Sequence, residues 1–249
     1  MATAMPAPEP SKKPRFTSET GKNAGIGWAK CRTTAKILSD QLRQYHRAMS
    51  DTTRVTIHTI VGSTRPNRFS DKPARWIHDQ LQAKSGVDAE LVDLRDYPLP
   101  FFDAATSPAR LQGNYPNPVA SSWSTKVNEA DAYVIVSPEY NHAYSAVLKN
   151  ALDWAFREWN NKPVAFVSYG SVGGARAVEQ LRLVAIELEM APIRFAVHLP
   201  PEVYRAVMNE QVPVDPVLFQ PSQMAADRMV DQLLWWTRAL KHARSAAPL

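Results

Sequence analysis

The sequence predicts an α/β fold, a parallel sheet covered by helices on both faces, from residue 54 onward. Three observations carry this. Apolar, β-branched runs recur at Val55–Val61, Ala89–Asp93, Ala132–Ser137, Val164–Tyr169 and Ile193–Val197, which makes five strands. Between them apolar residues return every three or four positions, as in Ala74, Ile77 and Leu81, then Val147, Leu148, Ala151, Leu152 and Ala155, then Val178, Leu181, Ala185 and Leu188. A chain of 249 residues that is 45% hydrophobic also has enough apolar material for one sizeable core. Strand–helix alternation of this kind packs as a parallel sheet, because crossovers between parallel strands are right-handed and need helix-length connections.

The first 50 residues stand apart as a basic extension. They hold nine Lys/Arg against three acids, whereas residues 51–249 hold 20 against 21. The net charge of +5 therefore belongs to the extension, and the near-neutral remainder argues against a nucleic-acid partner. Its Pro, Ala, Ser and Lys content predicts a largely disordered segment, partly helical where Ile37, Leu38, Leu42 and Tyr45 share one side of Trp28–Tyr45. It lacks the apolar stretch of a secretory signal, and Glu9 and Glu19 count against an organellar transit peptide. The single cysteine, Cys31, excludes an intramolecular disulfide and a thiol-based metal site and suits a reducing compartment. No apolar run approaches the roughly 18 residues that a bilayer span needs. A soluble cytoplasmic protein with no membrane partner is the expectation. Residues 51–249 form the one domain, ending in a helix that carries Met229, Val230, Leu233, Trp236 and Leu240.

In open parallel sheets ligands bind beyond the carboxyl ends of the strands, where strand order reverses. The loop after the first strand spans residues 61–72 and reads Gly62-Ser63-Thr64-Arg65-Pro66-Asn67-Arg68-Phe69-Ser70 before a helix begins. Hydroxyls, two guanidinium groups and a helix N-terminus are what a phosphate dianion needs. The spacing is neither that of a P-loop nor that of a dinucleotide fingerprint, so one phosphate is expected. These residue types also dominate ordinary turns, and a plain turn with solvated arginines is the alternative.

The third strand ends in Ser137-Pro138-Glu139-Tyr140-Asn141-His142, and Leu148-Lys149-Asn150-Ala151-Leu152-Asp153 follows on a helix. A planar ring edged by backbone amides and flanked by Tyr140 would suit this loop. Lys149 and Asp153 are expected to pair on the helix surface, Asn150 to cap or buttress a neighbouring loop, and His142, with no visible partner, to be a bystander. The fourth strand runs into Ser168-Tyr169-Gly170-Ser171-Val172-Gly173-Gly174-Ala175-Arg176, where three of the nine glycines cluster. They let backbone pass close to a flat ligand, or serve only a tight strand-to-helix turn.

Taken together, Gly-Ser-Thr-Arg-x-x-Arg, Ser-Pro-Glu-Tyr-Asn-His with its Leu-Lys-Asn-Ala-Leu-Asp helix, and Tyr-Gly-x-x-Gly-Gly-x-Arg resemble the NAD(P)H-dependent FMN reductase family over about residues 54–200, including Asp93-Leu94-Arg95-Asp96-Tyr97-Pro98. The resemblance implies a flavodoxin-like three-layer sandwich with a five-stranded parallel sheet in the order 2-1-3-4-5. It also implies non-covalent FMN, NADPH or NADH as electron donor, a small-molecule acceptor such as a quinone, azo compound or free flavin, and a homodimer or homotetramer. Carried over by position, Ser63, Arg65, Arg68, Phe69 and Ser70 would hold the phosphate. Pro138, Glu139, Tyr140 and Asn141 would line the ring and ribityl chain, and Ser168, Gly170, Gly173 and Gly174 would border the ring's other edge. The flavin carries the chemistry, so no catalytic side chain and no metal is implied. Arg176 has two readings, a partner for the 2′-phosphate of NADPH or a solvated first-turn arginine. Asn67 stands where the family often has glycine, which its tolerance of left-handed backbone allows, and Ser70 is expected to cap the helix. A flavodoxin-like electron carrier and a non-catalytic regulator with the same fold are the alternatives.

Overall fold

The computed structural model describes residues 54–111, 113–209 and 216–246. The expected helix over 28–45 and the state of the basic extension lie outside the described residues.

Strand β1 (Val55–Val61) leads into α1 (Asp71–Gln82) and β2 (Val87–Asp93). A 3₁₀ turn (Leu94–Asp96), a short α2 (Pro108–Leu111) and α3 (Pro118–Glu129) then carry the chain across to β3 (Ala132–Pro138). After it come α4 (Ala146–Asp153), β4 (Pro163–Tyr169), α5 (Ala175–Glu187), β5 (Ala191–Pro192), β6 (Val197–Leu199), α6 (Pro201–Asn209), a second 3₁₀ segment (Pro216–Ser222) and α7 (Gln223–Ala246). All the strand pairs are parallel, in the order β2-β1-β3-β4-β5 with β6 also against β4. The chain leaves β1 in one direction to β2 and returns past it to β3, so strand order reverses between β1 and β3.

Side-chain alternation along the strands feeds two cores, one per face. Val55, Ile57, Val134, Val136 and Val167 pack under α1 and α7 against Ile77, Leu81, Met229 and Leu233. Ile60, Tyr133, Ile135 and Phe166 pack under α3, α4 and α5 against Trp123, Leu148, Trp154 and Leu181. Buried tryptophans also serve as donors: Trp123 Nε1 reaches Ala151 O at 2.7 Å and Trp159 Nε1 reaches Leu152 O at 3.3 Å, satisfying carbonyls of the last turn of α4. The helix α3, which the sequence reading did not place, starts at Asn117-Pro118, an N-cap followed by proline at the first helical position, and Asn117 Oδ1 accepts from Val119 N at 2.9 Å and Ala120 N at 3.2 Å.

One strand differs from the sequence reading, which placed the fifth at Ile193–Val197 and counted five. The sheet has six strands, because the fifth position is shared by β5 and β6. Pro192 lies opposite Val164 and Val197 opposite Val167, so the edge carries two more residues than β4 over the same span and bulges between them. Ile193 N still donates to Val164 O of β4 at 3.0 Å, and helices take the groups beyond it: Arg182 Nη1 and Nη2 donate to Ile193 O at 2.5 Å and Arg194 O at 2.8 Å, and Phe195 N donates to Gln232 Oε1 at 3.0 Å.

Candidate functional site

The loops after β1, β3 and β4 lie side by side because those strands are neighbours in the sheet. The β1–α1 loop is pressed against β3: Gly62 N donates to Val136 O at 2.8 Å, and a Cβ at Gly62 would stand 2.8 Å from that oxygen. Its next four carbonyls are all held by side chains. Ser145 Oγ donates to Gly62 O at 2.5 Å while also capping α4, Arg68 donates to Ser63 O, and Arg95 donates to Thr64 O at 3.4 Å and to Arg65 O. A trans peptide points its N–H opposite to its C=O. Pinning these carbonyls therefore turns the N–H groups of Ser63, Thr64 and Arg65 away from them; that of Arg65 meets Ser63 Oγ at 3.5 Å, which leaves those of Ser63 and Thr64 as the donors an anion-binding nest would use.

The two arginines of this loop have different fates. Arg68 is buried, its side chain 2% exposed, between Asp71 and Asp93. Its Nε donates to Asp71 Oδ1 at 2.8 Å and its Nη1 to Asp93 Oδ1 at 2.8 Å. Burial pushes the Asp93 carboxyl up, but the hydrogen bonds and charge of Arg68 and the Arg95 N–H outweigh it and hold the group below the usual carboxylate range. Arg65 is exposed, with its guanidinium 5.6 Å from the centre of the Tyr140 ring and Nη1 donating to Tyr140 Oη at 3.4 Å. Asn67 has φ of 51°, the left-handed conformation expected of it. Ser70 stands at the N-cap position of α1 but makes no side-chain cap; its buried Oγ bonds Tyr169 Oη at 2.7 Å. Phe69 is buried beside it, edge-on to Tyr169 and Tyr204 with centroids 4.8 and 5.4 Å away.

Beyond β3, Tyr140 and Ala143 exchange backbone bonds of 2.8 and 3.0 Å around Asn141 (φ 48°) and His142 (φ 71°), the signature of a type I′ turn. The Glu139 side chain is 2% exposed and is gripped by Arg176, whose Nε and backbone N donate to its two oxygens at 2.6 and 3.1 Å. Burial raises the Glu139 carboxyl, but the Arg176 bonds prevail and hold it below its ordinary range. Arg176 Nη1 is also 2.7 Å from His142 Nε2. A guanidinium can only donate, so the imidazole nitrogen is the acceptor in this contact. His142 thus has a partner, and Arg176, though its side chain is 35% exposed, is not unpaired; its charge is already matched by Glu139. Lys149 pairs with Asp153 at 2.6 and 2.7 Å, as expected. Asn150 buttresses the loop after β2, accepting from Phe102 N at 2.9 Å and donating to Pro100 O at 2.8 Å.

The glycines after β4 answer to space. A Cβ on Gly170 would come within 2.9 Å of Glu139 Cβ, and one on Gly174, where φ is 74°, would stand 1.9 Å from Ser168 Oγ. Ser168 Oγ is itself spent on Ser137 O at 2.8 Å. Of the residues singled out in the sequence, Ser63, Arg65, Glu139, Tyr140, Asn141, Gly170, Gly173 and Gly174 therefore meet at or around the open ends of the strands. Pro138 closes β3 beneath them, while the polar groups of Arg68, Ser70 and Ser168 turn into the protein. Sequence reasoning missed Asp71, Arg95 and Ser145 as determinants of the first loop. The structure also has a cleft of about 320 Å³ beside it, lined by Thr64, Arg95, Tyr97, Leu99, Val147 and Asn150 among others.

Comparison with known proteins gives four findings. The profile of a family described as NADPH-dependent FMN reductase matches residues 55–201. An NAD(P)H-dependent FMN reductase of Schizosaccharomyces pombe is 38% identical over 146 residues, 58% of this chain and 73% of that protein. An NADPH:quinone oxidoreductase of Arabidopsis thaliana is 35% identical over 141 residues, 55% of this chain and 69% of its own. Among solved structures, the flavoenzyme NAD(P)H:(acceptor) oxidoreductase FerB of Paracoccus denitrificans shares the fold with a TM-score of 0.55 at 22% identity, over 72% of this chain and 97% of that one.

Proposed function

The chain belongs to the NADPH-dependent FMN reductase family, and from that premise we propose that its three strand-end loops hold the FMN and that quinone-type compounds are its electron acceptors. It is an FMN-dependent oxidoreductase with NADPH or NADH as donor, and the electron-carrier and regulator alternatives give way to an enzyme. Bound FMN supplies the chemistry, taking up hydride from the nicotinamide and handing electrons to an acceptor at the same place.

The observation that carries the site is the run of side-chain-held carbonyls from Gly62 to Arg65. The N–H groups of Ser63 and Thr64 and the Ser63 hydroxyl would hold the phosphate, and the exposed Arg65 guanidinium, now on the Tyr140 ring, would supply its charge partner. Arg68, Phe69 and Ser70 act from beneath by fixing the loop. Pro138, Glu139, Tyr140 and Asn141 line the ring and ribityl chain; the Glu139–Arg176 pair keeps that loop in place, and Gly170, Gly173 and Gly174 leave room for the opposite edge, which Ser168 supports. No side chain is assigned a bond-making step. The quinone acceptor is supported by the name of the plant relative. Among the described residues no helix is long and apolar enough to cross a membrane; the cytoplasmic location and the homodimer or homotetramer belong to this proposal through the family resemblance alone.

The test is the visible spectrum of the purified protein, followed by NADPH and NADH addition without oxygen and then by a quinone or an azo dye. Bound or bindable FMN, bleached by a nucleotide and restored faster by the quinone, is the expected result. A colourless protein that binds no FMN would overturn the reading, and faster restoration by the azo dye would overturn the acceptor.

A further inference from the structure

A second group of ligand-type side chains lies away from the three loops. His58, midway along β1, is in register with Glu90 of β2, and Glu129 ends α3 above them. One ligand atom from each lies within 4.8 Å of the others. His58 is 1% exposed, and its Nε2 makes no hydrogen bond although it sits 3.3 Å from Glu90 Oε2. A buried imidazole nitrogen thus faces two carboxylates, 3.3 Å from one of them, without a hydrogen bond to either, which is uncommon for a buried polar atom. The carboxylates are held together by one cation, Lys126, whose Nζ is 2.9 Å from Glu90 Oε1 and 2.5 Å from Glu129 Oε2. Lys126 takes the Glu90 oxygen that the imidazole does not face.

We propose that His58, Glu90 and Glu129 form a binding site for a divalent transition-metal ion, best matched by Zn²⁺, which competes with the Lys126 ammonium for the two carboxylates. One imidazole and two carboxylates suit zinc better than calcium or magnesium, which take oxygen ligands. Tetrahedral zinc with bonds of about 2.0–2.1 Å places its ligand atoms about 3.3 Å apart, so the two Glu side chains must close in. They are able to, being 45% and 48% exposed, and that exposure leaves the fourth position to water. Two carboxylates balance a dication once Lys126 swings outward on its long stem, and its side chain already reaches the surface at 22% exposed. Lys162, with Nζ at 3.1 Å from Asn128 O and 3.3 Å from Tyr133 Oη, is the second cation nearby and limits the affinity. The bound ion would tie β1, β2 and α3, three segments far apart in the chain, and so stabilise the native state by linkage.

The experiment titrates Zn²⁺ calorimetrically into the full-length, flavin-loaded protein after chelator treatment. Thermal unfolding and the visible d–d bands of Co²⁺ beyond the flavin absorption are the second and third readouts. One Zn²⁺ per chain is expected, with Tm rising by about 5–11 °C at roughly a hundredfold excess over Kd. Lys126→Ala should bind at least about tenfold more tightly, while Glu90→Gln, at a half-exposed position where folding is not at stake, and His58→Gln should each bind at least about tenfold more weakly. Absence of stoichiometric binding in both the wild type and Lys126→Ala overturns the proposal. So does unchanged affinity in Glu90→Gln or His58→Gln, since the ion would then be held elsewhere, and unchanged affinity in Lys126→Ala overturns the competition.

Discussion

Replacing Arg68 by Met separates two roles that loop chemistry alone leaves merged. The Arg68 side chain is 2% exposed and pairs with Asp71 and Asp93, which are 32% and 27% exposed. Removing one partner of a fully buried ion pair costs about 3–5 kcal/mol, because a charge is left in low dielectric. Here the two carboxylates are partly solvated and can rehydrate, which lowers the figure to about 2–3 kcal/mol. Losing the donor to Ser63 O adds about 1 kcal/mol. The expected loss is then about 3–4 kcal/mol, or a Tm drop of roughly 6–16 °C for a domain of this size. Urea unfolding of the flavin-free protein measures it, and FMN titration of the same sample reports the site. Arg65→Ala should do the opposite, with stability within about 0.5 kcal/mol of wild type, as for other surface changes, and FMN affinity down about tenfold to a hundredfold. If Arg68→Met instead keeps full stability and loses FMN binding, Arg68 is a direct phosphate ligand and the burial argument is wrong.

Two further outcomes follow from local geometry and from burial. Gly174→Ala places a Cβ 1.9 Å from Ser168 Oγ at φ 74°, whereas Gly173→Ala meets its nearest neighbour, His198 Cβ, at 3.2 Å with φ 67°. Circular dichroism and FMN binding should show Gly174→Ala far more damaged; equal effects would mean that left-handed strain, not the close approach, dominates. Burial lowers the Lys162 ammonium to about 8. Since the unfolded lysine titrates near 10.4, the unfolded chain binds more protons between those values, so stability due to this group rises with pH across that window, by up to about 3 kcal/mol. Urea unfolding at pH 8 and above should show that rise diminished in Lys162→Met; an identical slope in both proteins would mean that Lys162 keeps its ordinary affinity for protons.

Strand and helix positions were legible because they rest on periods of two and 3.6 residues, which any short window reveals. Val55–Val61 is bounded by the sequence pattern and the structure alike, and the strand order followed from the loop motifs that carry the family resemblance. The left-handed turn at Asn67 and the need for glycine after β4 were readable for the same reason, since backbone freedom is a property of single residues, whereas the Ser168 hydroxyl that crowds Gly174 came only with the fold. Tertiary structure decided what those residues touch. Arg65 and Arg68 look alike in the loop, and they are told apart by Asp93, which arrives from the neighbouring strand, 25 positions on. Where the fifth strand breaks in two, Arg182 and Gln232, from helices on opposite faces, take polar groups that a continuous ladder would have used. Hydrogen-bond partners brought together by folding are not encoded in any local window, so the loop's composition announced an anion while the direction of its N–H groups depended on Ser145 and Arg95.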